Sequence, residues 1–98
     1  MNLTKTQNGT ELTIALEGRL DTTTAPELEE TLKASAAGIT ALVFDFEKLE
    51  YISSAGLRVL LAAQKTMNAQ GTMTVKNVCA DIMEVFDITG FADILKLE

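Results

Sequence analysis

The sequence predicts an α/β domain, a mixed β-sheet of about five strands with helices packed on it, in the order β-β-α-β-α-β-α-β. Three observations predict it. An Asn8-Gly9 pair separates two runs of strand character, and in the second Leu12, Ile14 and Leu16 alternate with Thr13, Ala15 and Glu17. Ala41-Leu42-Val43-Phe44-Asp45-Phe46 is a short run rich in strand formers without a polar alternation. Between and beyond these lie segments whose apolar residues recur at helical spacing. Strands that alternate with helices imply parallel pairs, because a parallel connection needs a crossover.

The chain opens with a hairpin, Leu3–Gln7 and Thr10–Glu17, turned at Asn8-Gly9 because both residues tolerate positive φ. Gly18 to Thr24 reads as a loop. Thr24-Ala25-Pro26-Glu27 has the spacing of a capping box, with Pro26 in the first turn where its missing N–H costs nothing. The helix that follows, Ala25 to Ala36, puts Leu28, Leu32 and Ala36 on one face, and Gly38 ends it. Ala41–Phe46 reads as a central strand covered on both faces, and Glu47–Ile52 as its connection to a second helix. That helix runs from Ser54 to Ala69, with Leu57, Leu60, Leu61 and Met67 as its buried stripe and Gly71 at its close. Thr72–Lys76 alternates as a strand. Asp81–Ile88 is a short helix with Ile82, Val85 and Phe86 on one side, stopped by Gly90, and Ile94–Leu97 is the last strand. No linker, repeat or low-complexity segment interrupts residues 1–98, which read as one domain.

Composition excludes several classes of function. Eight basic residues against 14 acidic ones leave a net charge of −6, and the basic residues are scattered. Nucleic-acid binding needs clustered Lys and Arg to displace counterions, and an anionic membrane surface is disfavoured on the same grounds. The absence of histidine removes His-based triads, His-based metal sites and the commonest general base. Cys79 is alone, so no internal disulfide ties the fold to an oxidising compartment, and its default role is that of a small buried or half-buried apolar residue. No apolar run approaches the ~20 residues of a spanning helix. A cytoplasmic domain without catalytic activity is expected: no nucleophile has a visible base, and no P-loop or GxGxxG is present to hold a cofactor. Asp21, Asp45, Glu47 and Glu50 read as a solvated acidic rim that attracts a basic partner face, the alternative being a carboxylate site for a metal.

The segment Leu49-Glu50-Tyr51-Ile52-Ser53-Ser54-Ala55-Gly56-Leu57-Arg58 stands apart, because it carries two hydroxyls from a strand connection into a helix N-terminus. In open α/β sheets ligands and modifications fall at such corners. The unpaired N–H groups and the positive end of the helix dipole favour an anion there, including a phosphate on serine. Two readings stand side by side. A serine at a helix start also serves as a plain N-cap, and Gly56 serves either a partner's close approach or close helix–sheet packing.

The run Val43 to Leu57 resembles the signature of STAS domains, the family of bacterial anti-sigma factor antagonists: a hydrophobic strand, an Asp, a short polar connection, then Asp-Ser-Ser-Gly-Leu. Leu16-Glu17-Gly18-Arg19-Leu20-Asp21 resembles the family's Gly-x-Leu-Asp, and Gly90-Phe91 its late Gly-Phe, so the resemblance spans essentially the whole chain. It implies that Ser54 is the phosphoacceptor, that Ser53 stands where the family has Asp, and that Ala55 stands where it has a second serine. Ser53 is then the only other local hydroxyl and the alternative acceptor. A partner-binding surface of Asp21, Thr22, Ser53, Gly56, Leu57 and Arg58 is likewise implied.

The function the resemblance implies is partner switching. The unphosphorylated chain binds an anti-sigma factor that is also a serine kinase, which frees the sigma factor. Phosphorylation of Ser54 dissolves the complex, and a serine phosphatase resets it. No cofactor belongs to the chain itself, since ATP and Mg²⁺ are the kinase's. The alternative within the same fold is a constitutive subunit of an ABC transporter or sensor assembly, in which Ser54 only caps a helix.

Overall fold

Two residues close the first hairpin, and one of them needs a left-handed backbone. In the computed structural model, which describes residues 1–98, β1 (Asn2–Asn8) pairs antiparallel with β2 (Glu11–Leu20), Asn8 facing Glu11. The turn is therefore Gly9-Thr10, one residue later than Asn8-Gly9. Gly9 takes φ of +63°, whereas Asn8 does not enter positive φ, which is the pattern of a turn with glycine at its first central position.

The remaining elements are α1 (Ala25–Ser35), β3 (Ala41–Ile52), α2 (Ser54–Gln70), β4 (Thr72–Lys76), α3 (Ala80–Thr89), a 3₁₀ turn at Phe91–Asp93 and β5 (Lys96–Leu97). The sheet runs in sequence order, β1-β2-β3-β4-β5, and every pair after the first is parallel. This topology dictates the layers. Crossovers are right-handed, and three of them stepping in one direction place α1, α2 and α3 on the same face of the sheet.

That arrangement corrects the expectation that the central strand is covered on both faces. Leu42, Phe44 and Phe46 point into the core, but Val43 and Asp45 lie on the helix-free face and are only half-buried, with Thr13, Ala15, Thr74 and Lys76 around them. The core is one continuous cluster of 23 apolar residues, and no polar residue is fully buried.

β3 is longer than its apolar run, and Glu47–Ile52 is strand rather than connection. The reason is local. Beside β2, the strand takes seven steps from Asp45 to Ile52 while β2 takes five from Ala15 to Leu20, so two irregularities insert extra residues into β3. They replace alternation with a spacing of three: Phe46, Leu49 and Ile52 are buried, while Glu47, Lys48, Glu50 and Tyr51 are exposed. Gly18, Arg19 and Leu20, expected in a loop, extend β2 through the same irregular stretch, Gly18 with φ of +101°. The two strands thus end together, Leu20 beside Ile52, and deliver Asp21 and Ser53 side by side at the C-terminal edge of the sheet.

Candidate functional site

Asp21 and Ser53 leave adjacent strands, and a backbone bond ties them at this edge: Ser53 N–H donates to the Leu20 carbonyl at 2.9 Å. α2 begins at once, its first turn anchored by Leu57 N–H to the Ser53 carbonyl at 3.0 Å. The site is therefore the junction of two strand ends with the N-terminus of a 17-residue helix.

The Asp21 turn is built by its own side chains. Asp21 Oδ1 accepts from the Thr23 hydroxyl at 2.7 Å, from Thr23 N–H at 3.0 Å and from Thr24 N–H at 3.2 Å. Thr24 Oγ1 accepts from Asp21 N–H and donates to the Arg19 carbonyl, both at 2.8 Å. The capping box expected at Thr24 is absent, since its hydroxyl is spent on Asp21 and Arg19 and makes no helix-capping bond. Asp21 instead closes the turn that leads into the helix, in the manner of an Asx turn, and its carbonyl also receives Ala25 N–H at 2.8 Å. The run of threonines after an aspartate is the sequence signal that would have revealed it.

Donation by the Thr23 hydroxyl, against an opposing effect of burial and with help from the Thr23 and Thr24 amides, holds the Asp21 carboxyl below its ordinary value of 3.8. On Asp45 burial is the largest influence and acts upward. The Asn77 amide, the Glu47 N–H and Lys76 together outweigh it, so that carboxyl is also lowered. A depressed carboxylate stabilises the fold above its unfolded pKa, and that contribution disappears as pH falls through the folded value. Stability should therefore drop on acidification below about pH 4. Urea midpoints measured from neutral to acid pH should show this limb in wild type, less of it in Asp21→Asn, and least in Asp21→Asn combined with Asp45→Asn.

Arg19 stands next to this turn. Its guanidinium carbon lies 4.1 Å from the Tyr51 ring centroid, across the pair Arg19–Tyr51 that the irregular register creates, and its Nε is 3.7 Å from Asp21 Oδ2. Sequence spacing alone could not place this stack, because an uninterrupted register would not set those two residues opposite one another.

The two serines differ sharply. Ser53 is the helix N-cap in extended geometry, yet its side chain makes no capping bond, and its Oγ is buried without any partner. Ser54, one residue on, is exposed on the first turn. The Ser53 hydroxyl is thus closed off from solvent, whereas Ser54 is open to it.

Of the remaining residues expected at a partner surface, Thr22 and Arg58 are exposed and line one open groove between the starts of α1 and α2, with Ala55, Glu29 and Glu30. Gly56 and Leu57 are buried and offer a partner no side-chain surface. A Cβ on Gly56 would lie 2.8 Å from Leu20 Cγ and 2.9 Å from Ile52 Cγ1, so its missing side chain serves helix–sheet contact. Asp21, Asp45, Glu47 and Glu50 do not gather with one another or with Cys79 into a group able to hold a metal ion. Cys79, expected at least half-buried, is exposed at the start of α3, its sulfur 3.9 Å from the Leu49 carbonyl. No helix is long and apolar enough to cross a membrane.

Comparison with known proteins places this geometry. The sequence profile of the STAS domain matches residues 2–98. BtrV of Bordetella bronchiseptica, named as an anti-sigma factor antagonist, is 38% identical over 96 residues, covering 96% of this chain and 83% of that protein. An anti-sigma factor antagonist from Mycobacterium paratuberculosis has a similar fold, with a TM-score of 0.88 at 24% identity, over 98% of this chain and 83% of that one. The Bacillus cell fate determinant SpoIIAA in its phosphorylated form is similar with a TM-score of 0.78 at 18% identity, over 99% of this chain and 91% of that one. By this match over nearly its whole length, the chain belongs to the STAS domain family of anti-sigma factor antagonists.

Proposed function

We propose that this chain is the phosphorylatable member of a partner-switching pair. Unphosphorylated, it binds an anti-sigma factor that is also a serine kinase, and the sigma factor goes free. The kinase, with its own ATP and Mg²⁺, transfers the terminal phosphoryl group to Ser54 Oγ. The serine O–H bond breaks, an O–P bond forms and ADP leaves. The phosphorylated chain dissociates, and a serine phosphatase restores it. In this reading the chain is substrate and switch, needs no cofactor, binds neither nucleic acid nor membrane, and works in the cytoplasm.

The observation that carries the reading is the exposure of Ser54 on the first turn of α2 beside a neighbour, Ser53, whose hydroxyl is sealed. It supports a single acceptor despite the loss of the family's aspartate before it. The constitutive-subunit reading gives Ser54 only a capping role. Neither that residue nor Ser53 makes a side-chain capping bond here, which supports the switching reading over the capping one.

Incubation with the cognate kinase and labelled ATP tests the assignment. Wild type and Ser53→Ala should both incorporate phosphate, and Ser54→Ala should incorporate essentially none. Labelling of Ser54→Ala at the wild-type rate would sink the proposal.

A further inference from the structure

We infer that Arg58 is the intramolecular clamp of a phosphate on Ser54. The inference rests on the assignment of Ser54 as the modified residue.

Ser54 and Arg58 stand four residues apart within α2, the spacing at which helical side chains are neighbours. Each Cα–Cβ bond tilts toward the helix N-terminus, a direction that puts the turn carrying Ser54 within reach of a long side chain at position 58. An acidic group N-terminal to a basic one at this spacing is the favourable orientation. Both residues are exposed.

Arg58 is also uncommitted. The two ion pairs of the molecule are Arg19 with Asp21 and Lys33 with Glu29, and Arg58 takes part in neither. Arg19, the other arginine near the junction, is held by Asp21 and by the Tyr51 ring. Across the groove from Arg58 stand Glu29 and Glu30 of α1, and Glu29 is already bonded to Lys33 at 3.1 Å. Only Glu30 is left there to compete for the guanidinium. A phosphoserine dianion outbids a single carboxylate, because it carries more charge and three acceptor oxygens matched to a bidentate guanidinium. The phosphorylated surface thus differs from the free one by a gained dianion and a lost free cation.

Phosphoserine placed at position 54 by genetic encoding needs no kinase, and ³¹P NMR then reads the second ionisation of the phosphate directly. With Arg58 present that pKa should lie about half a unit below its value in Arg58→Gln, roughly a threefold change in proton affinity. Arg58→Lys should recover only part of the shift, since it keeps charge but not the fork. The helix dipole acts equally on all three chains, so the difference isolates the side chain. Identical titrations in wild type and Arg58→Gln would overturn the clamp. Failure of a kinase to label Ser54 would instead overturn the functional reading and leave this titration intact.

Discussion

Replacing Gly56 with alanine is expected to destabilise the domain by about 2 kcal/mol, and with valine by about 3 kcal/mol. The added Cβ would sit 2.8 Å from Leu20 Cγ and 2.9 Å from Ile52 Cγ1. Neither atom is the free end of a long side chain, and neither residue has room, Leu20 being 0% and Ile52 4% exposed. They are also the last residues of the two strands that deliver Asp21 and Ser53, so relief of the clash must come from lifting α2 off the sheet edge. At about 4–8 °C per kcal/mol for a domain near this size, alanine should lower the melting temperature by roughly 8–16 °C. Urea denaturation should show a lower midpoint with an unchanged slope, the mark of lost stability rather than a changed unfolded state. A change below about 0.5 kcal/mol in Gly56→Ala, the range of an ordinary surface substitution, would show that the contact gives way. Gly56 would then revert to the role of letting a partner approach.

This glycine also shows where sequence reasoning stopped. Close packing and partner access both explain a glycine after two serines, and only the positions of Leu20 and Ile52 decide between them. The element order was readable because its signals are local: the alternation of Leu12, Ile14 and Leu16, the helical spacing of Leu28 and Leu32, and the terminating glycines. What lay beyond reach depended on pairing. The second half of β3 looked like a connection because its buried residues, Phe46, Leu49 and Ile52, recur every three positions, which is no strand period until the irregular register is known. The bare sheet face follows from strand order and crossover hand, not from any side chain, which is why the apolar run alone implies a covered layer that Val43 and Asp45 do not occupy. The family resemblance names Ser54 as the acceptor and leaves Ser53 as the alternative, and nothing in the residues alone shows which hydroxyl is open to solvent. The backbone turn at the helix start buries one and presents the other.

Phosphorylation of Ser54 should weaken binding of the kinase partner at least about 30-fold, Ser54→Asp about fivefold to tenfold, and Ser54→Ala by no more than about twofold. Two electrostatic terms of opposite sign compete. The chain carries a net charge of −6, and further negative charge strengthens its long-range attraction to a basic partner face. That attraction is screened over about 8 Å at physiological salt and acts chiefly on the association rate. The opposing term is local. A phosphate of charge about −1.5 to −2, some 8 Å from one partner carboxylate at an effective dielectric near 40, is repelled by about 2 kcal/mol before screening. Taking that dianion out of water into an interface shaped for a hydroxyl costs several kcal/mol more. The local term wins, and it acts on the dissociation rate. Aspartate carries a single charge on a shorter side chain, which leaves it with a fraction of the effect. Surface plasmon resonance on the four chains, at low and at physiological salt, separates the terms. The association rate should change little or rise slightly at low salt, while the dissociation rate of the phosphorylated chain rises steeply at both. Unchanged dissociation from phosphorylated Ser54 would mean that the partner does not enclose this helix start, and the switch would have to lie elsewhere on the molecule.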